Sequence, residues 1–179
     1  ISQQNIGPTL GKISVEKSMR AFIYGLLAIS IFMVLIYKIP GLIANFSLIL
    51  YALLVIALYK IVPVTLTLAG ATGFILSIGM AVDANVLIFE RMREEIKKKN
   101  SLKDSVEIGF KRAWTSIKDG NISTIITCFV LYAFGTSIVR GFGLTLGLGV
   151  IISMFTSYVV TRLLLRLISK LKISKKFWH

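Results

Sequence analysis

Residues 67–96 read TLAGATGFILSIGMAVDANVLIFERMREEI, and the fold turns on this stretch. From Leu66 to Phe89 the run is apolar and holds a single acid, Asp83; at Glu90 it becomes densely charged. At about 1.5 Å of rise per residue, such a run matches the roughly 30 Å hydrocarbon core of a bilayer. Ala69, Gly73, Ser77, Ala81 and Asn85 recur every fourth residue. That is a stripe of small side chains along which a second helix can approach closely. Asp83 lies two residues from both Ala81 and Asn85, hence about 200° around the helix from each. Both sides of this span are therefore expected to face protein or water rather than lipid. Asp83 precedes Phe89 by six residues, which puts it roughly 9 Å from the charged end of the run. An unpaired carboxylate at that depth costs several kcal/mol. It must be protonated, reach water, or meet a cation. Arg140, Arg162 and Arg166 fall near the ends of other apolar runs, so a cation for Asp83 is expected from another polypeptide. Asp83 thus reads as an ion or proton relay, against the simpler reading of a structural acid hydrogen-bonded to Asn85 or a neighbouring Ser or Thr.

The rest of the 179-residue chain repeats the pattern. Hydrophobic residues make up 55 % and charged residues only 16 %, with a mean hydropathy of +0.80. An ordinary soluble domain carries about 25 % charged residues, so a soluble enzyme, a disordered tail and a disulfide-rich module are excluded. Further apolar runs extend over Ala21–Tyr37, Leu42–Tyr59, Ile122–Val139 and Phe142–Val160. Turns are expected at Gly7-Pro8, Gly11, Pro40-Gly41, Pro63 and Arg140-Gly141. The expected architecture is all-α: a polytopic membrane bundle of five transmembrane helices with an added cytoplasmic amphipathic helix. Residues 1–19 form an extracytoplasmic segment, 20–168 the membrane domain with a connector over 90–120, and 169–179 a basic cytoplasmic tail.

The net charge of +13 arises from 21 Lys and Arg against 8 Asp and Glu. The basic residues cluster beside apolar runs, without the basic-aromatic interleaving of a nucleic-acid surface, so they read as topology signals. With residue 1 outside, 16 of the 21 fall on the cytoplasmic side. A chain entering from outside implies an upstream span or signal. The single Cys128 lies in an apolar run and reads as a buried, inert thiol. No metal or organic cofactor is indicated.

The connector reads as two helical pieces. Glu94 with Lys98 and Glu95 with Lys99 form i,i+4 pairs. Ser101 followed by Asp104 resembles a capping box. Leu102, Val106, Phe110, Ala113 and Ile117 then mark the apolar face of an interfacial helix, with Trp114 as a headgroup anchor. Glu90, Arg91 and Asp119 sit at the edges of the apolar runs. In the fifth run Gly143 and Gly147 form a GxxxG pair suited to close packing.

The stretch 67–96 resembles the signature of the SecD family, membrane subunits of bacterial protein export within the RND superfamily. Its most specific part is Ala81-Val82-Asp83-Ala84-Asn85-Val86-Leu87-Ile88. Gly7-Pro8-Thr9-Leu10-Gly11, Ser116-Ile117-Lys118-Asp119-Gly120-Asn121 and Gly141 to Gly149 (GFGLTLGLG) extend the resemblance over nearly the whole chain. It departs at Ser123, where the family often has Thr, and in the basic tail.

The resemblance implies an RND-type half bundle in the bacterial cytoplasmic membrane, preceded by one more span and a large extracytoplasmic domain. It implies SecF, separate or fused, as the other half, SecYEG and SecA as the upstream channel and motor, and YajC and YidC as further partners. Preproteins are the substrate, and H+ or Na+ is the coupling ion. Asp83 would lie on the ion path beside a basic residue of SecF, with Gly79, Ala81 and Asn85 shaping the packing around it. A small-molecule efflux protein of the same superfamily is an alternative. An intramembrane aspartyl protease would need a second carboxylate beside Asp83, for which Asp119 is the other candidate.

Overall fold

The computed structural model describes residues 8–62, 64 and 67–169. The turns expected at Gly7 and Pro63, and the tail over 170–179, lie outside the described residues. All secondary structure among them is helical: α1 (Pro8–Tyr37), α2 (Ile39–Ile61), α3 (Leu68–Lys97), α4 (Leu102–Phe134) and α5 (Ser137–Phe155). The last continues without interruption through a π-helical segment, Thr156–Thr161, into α6 (Arg162–Ser169). Among the described residues, four helices are long and apolar enough to cross a membrane: Arg20–Tyr37, Ile39–Ile61, Leu68–Lys97 and Ser137–Ser169. The fifth long rod, α4, is charged in its first half and apolar in its second.

The breaks between rods differ from several expected positions. The α1–α2 bend falls on Lys38, which adopts φ 50°, while Pro40 sits in the first turn of α2 and Gly41 is helical. Proline lacks only an N–H that has no partner at a helix start, so it begins α2 rather than turning the chain. Gly11 likewise lies within α1. The α4–α5 break falls at Gly135-Thr136, leaving Arg140 and Gly141 inside α5. Arg140 donates from Nε to the Gly135 carbonyl at 2.9 Å, satisfying an acceptor just past the end of α4. Ser101 caps α4 as expected, accepting from the Asp104 amide at 3.1 Å.

The connector helix and the fourth span are one continuous rod. Val106, Phe110, Ala113 and Ile117 are all buried, packed with Ile88, Phe89, Met92 and Ile96 of α3 and Leu165 of α6. That stripe is thus used within the protein, not laid against the membrane surface. Gly109 permits the approach: a Cβ there would sit 2.8 Å from the Met92 backbone.

In lipid, helix association depends on close packing more than on hydrophobic burial, and the centre of the bundle is built accordingly. The helix α5 sits against α3 on one face and α4 on the other. Gly143 and Gly147 face α4, where added Cβ atoms would meet the Cys128 carbonyl at 2.9 Å and Cys128 Cβ at 3.2 Å. Gly149 faces α3, where a Cβ would lie 2.3 Å from Ser77 Oγ. Cys128 is a buried free thiol in this contact. Large apolar side chains such as Leu35, Ile56, Phe129 and Ile151 cover the outside, the arrangement of a protein solvated by hydrocarbon.

Candidate functional site

Two faces of α3 carry its polar groups. The first is the small-residue stripe. Thr67 caps the helix, its side chain accepting from the Gly70 amide at 3.0 Å. Gly73, Ser77, Ala81 and Asn85 follow at successive turns, all buried. Ser77 donates to the Phe74 carbonyl at 2.6 Å. Its one proton is thereby used, so the fully buried Tyr51 donates to Ser77 Oγ, also at 2.6 Å. Two turns on, Thr161 donates to Asn85 Oδ1 at 2.9 Å. Ser47 Oγ lies 2.9 Å from the same Thr161 oxygen and by the same count donates to it. Toward the start of α3, Tyr59 donates to the Thr145 carbonyl at 3.1 Å. Together these groups form an internal polar column between α2, α3 and the α5 rod. Every member finds at least one partner inside this chain, as buried polar groups in a bilayer require.

The second face holds Asp83. It is exposed, in an open groove between α3 and α4 bordered by Met80, Leu87, Gly120, Asn121 and Thr124. The chain has eight acidic residues. Glu16 pairs with Arg20, Glu90 with Arg93, and Glu94 with Arg91 and Arg112. Glu95 meets Lys98 and Arg112, Asp104 meets Ser101, Glu107 meets Arg162 and Arg166, and Asp119 meets Lys118. Asp83 alone has no ion-pair or hydrogen-bond partner among the described residues. The expected separation of the Asn85 and Asp83 faces is what the helix shows. Gly79, one turn before Asp83, has open space where a Cβ would be.

The charged ends of α3 and α4 interlock. Glu95, although nearly buried, takes Lys98 at 2.8 Å, Arg112 at 2.7 Å and the Asn100 amide at 2.9 Å. The i,i+4 pairs expected with Lys98 and Lys99 are replaced by i,i+3 and interhelical ones. Lys99 takes φ 65° in the tight turn to α4, and Arg112 competes for both carboxylates. Glu90 and Arg91 are half-buried at this end of α3. Trp114 packs against Tyr158 with ring centroids 4.3 Å apart. Asp119 is exposed in the middle of α4, so it neither starts a helix nor borders the Asp83 groove. The paired carboxylates of an aspartyl protease are therefore not assembled.

Glu107, Arg162, Arg166, Tyr51 and Thr161 were not singled out as site residues from sequence. Arg162 and Arg166 both contact Glu107 of α4, Arg162 Nη2 at 2.8 Å. The two guanidinium groups hold the Glu107 carboxyl down to about 2. Their i,i+4 spacing on one face was the available signal.

Apolar rods that alternate in direction along the chain, an internal polar column and one acid without a partner among the described residues, set in a lateral groove, define a polytopic α-helical membrane domain. The chain belongs to the SecD/SecF family of protein export membrane proteins, whose C-terminal family model it matches over residues 1–170. It is 49 % identical over 182 residues to the protein translocase subunit SecD of Thermobaculum terrenum, covering 99 % of this chain and 35 % of that protein. It is 51 % identical over 176 residues to SecD of Prochlorococcus marinus, covering 98 % and 36 %. A crystal structure of SecDF in a super-membrane-facing form superposes with a TM-score of 0.87 at 36 % identity, over 92 % of this chain and 22 % of that one. The chain thus spans about a third of the length of these SecD relatives.

Proposed function

We propose that the chain is the membrane part of a SecD subunit that couples an ion gradient to late preprotein export across the bacterial cytoplasmic membrane. The carrying observation is that Asp83, alone among eight acids, has no partner among the described residues yet sits within an apolar span. The cost of a charge at that depth favours either a proton or a cation from outside this chain. A basic side chain of the SecF half supplies that cation in this reading. Protonation of Asp83 removes the attraction, the two halves shift, and the extracytoplasmic part moves with its substrate. The driving force is about 2.3 kcal/mol per charge per 100 mV, enough to bias a two-state interface substantially. H+ or Na+ is the coupling ion, and SecYEG, YajC and YidC are the wider assembly. The residue 1 side is extracytoplasmic in this reading.

The test is Asp83→Asn in the full-length protein, with preprotein export measured with the gradient intact and collapsed. Export at the collapsed-gradient level, with the complex still assembled, supports the relay. Export that stays gradient-stimulated as in wild type makes Asp83 structural and removes the reading.

A further inference from the structure

At the charged end of the bundle an open groove of about 390 Å³ lies between α4 and the π segment. Phe110 and the Trp114–Tyr158 ring pair line it, and Lys111 and Arg162 stand along it. The Arg162 guanidinium lies 5.7 Å from the Phe110 ring centroid and 5.3 Å from that of Tyr158. Its Nη1 donates to the Tyr158 hydroxyl at 3.1 Å and its Nη2 to Glu107 at 2.8 Å. Its buried Nε has no acceptor among the described residues. Glu107 is already shared by Arg162 and Arg166, so two cations face one carboxylate. Lys111 is exposed and pairs with no described residue. The groove therefore has a positive surplus and an unused donor, the complement of an anion.

Its depth selects the kind of anion. The outward apolar residues of α4 (Ile122, Ile126 and Phe129) begin about two turns beyond it, past the exposed pair Lys118 and Asp119, and those of α5 and the π segment (Ile151, Phe155 and Val159) run down to it. The contacts of Trp114 with Tyr158 and of Glu107 with Arg162 set both series at one level. A cationic groove at the edge of a hydrocarbon-facing band, floored by Trp and Tyr, suits a head with acyl chains attached. We propose that this groove binds the phosphate headgroup of an anionic phospholipid, whose chains lie along the apolar surface of α4 and α5.

Native mass spectrometry of the full-length protein in detergent, titrated with dioleoyl phosphatidylglycerol or dioleoyl phosphatidylcholine, tests this. The first phosphatidylglycerol is expected to bind at least about fivefold more tightly than phosphatidylcholine, since one basic residue near the surface contributes about that factor. Lys111→Glu, a change at an exposed position without a partner, is expected to abolish the preference while leaving thermal unfolding in detergent unchanged. Arg162→Gln is expected to weaken binding further. Equal binding of the two lipids, or an unaltered preference in Lys111→Glu, overturns the proposal. So does displacement of the lipid by millimolar inorganic phosphate, which would make this a small-anion site.

Discussion

Asn85 and Asp83 stand two residues apart on the same helix and have opposite fates. Asn85 is buried and accepts from Thr161, which Ser47 in turn supports. Asp83 opens into a groove and has no partner among the described residues. The amide oxygen is engaged by the chain that carries it, which ties Asn85 into the packing of α3 against α2 and the α5 rod. The carboxylate two residues away is exposed and meets none of the described residues, and the proposed relay gives it a partner outside this chain. Polarity inside a membrane span is not by itself a functional mark; an unfilled valence for hydrogen bonds or charge is.

The contrast can be broken most severely from the packed side. Gly73→Leu would drive a side chain into α5, since even a Cβ there lies 2.8 Å from the Phe142 carbonyl and 2.4 Å from Thr145 Oγ1. Overpacking of this kind costs about 1–3 kcal/mol or more, and backbone that cannot yield puts Gly73→Leu at the upper end. The full-length protein should lose most of its folded fraction in a detergent melting assay. Gly79→Ala, with open space at that position, should melt like wild type. Equal losses in the two variants would show that the α3–α5 contact is not what stabilises the bundle.

Thr161→Val keeps the shape but removes the hydroxyl that joins Asn85 to Ser47. Hydrogen bonds within membrane bundles average about 0.6 kcal/mol and reach about 1.7, so a loss of about 1–2 kcal/mol is expected, read as a lowered unfolding midpoint. Export should fall only in proportion to folded protein. A loss of gradient coupling at full stability would move the polar column into the relay.

The Glu107 bridge should be visible through pH. Its carboxyl titrates at about 2 in the folded protein against an ordinary value of 4.5. The folded state therefore holds the ionised form more strongly than the unfolded chain does. That stabilisation is complete above about 4.5 and disappears as pH falls toward 2. Wild type should lose more thermal stability across that window than Glu107→Gln. Parallel curves would mean that solvent screens the pair completely. The smallest effect belongs to Asp83→Asn, which breaks no contact among the described residues and should shift stability by less than about 0.5 kcal/mol. A large destabilisation there would sink the distinction between the two faces.

Local repetition made much of this legible from sequence. The every-fourth-residue stripe fixed which face of α3 is buried, and two residues of offset placed Asp83 opposite. Ser101 announced its own helix start. What escaped depends on residues distant along the chain. Nothing local says that Arg162 meets Glu107, 55 positions away, or that Arg112 reaches back to Glu94 and Glu95. Arg140 was read as a turn marker because it is charged between apolar runs, whereas its side chain closes the end of α4 from within the next helix. The apolar face of α4 has the periodicity of a membrane-surface helix. Only the packing partner, with Gly109 against Met92, shows where that face is spent.

The π segment Thr156–Thr161 has a geometric consequence of its own. Each α-helical residue advances about 100° around the axis, so one additional residue in a regular helix would turn everything after it by that angle. Upstream, the rod aims Gly143 and Gly147 at α4 and Gly149 at α3; beyond the wide turn, Arg162 and Arg166 again meet α4, and Thr161 at its end meets Asn85 of α3. The wide turn absorbs that residue, so one continuous rod keeps the same face on α4 along its whole length. Deleting a single residue within 156–161 is expected to restore a uniform pitch with the arginines still on Glu107, whereas inserting a further residue there would swing them by about 100°, uncoupling the charged end from the packed centre with no change of side-chain chemistry at either.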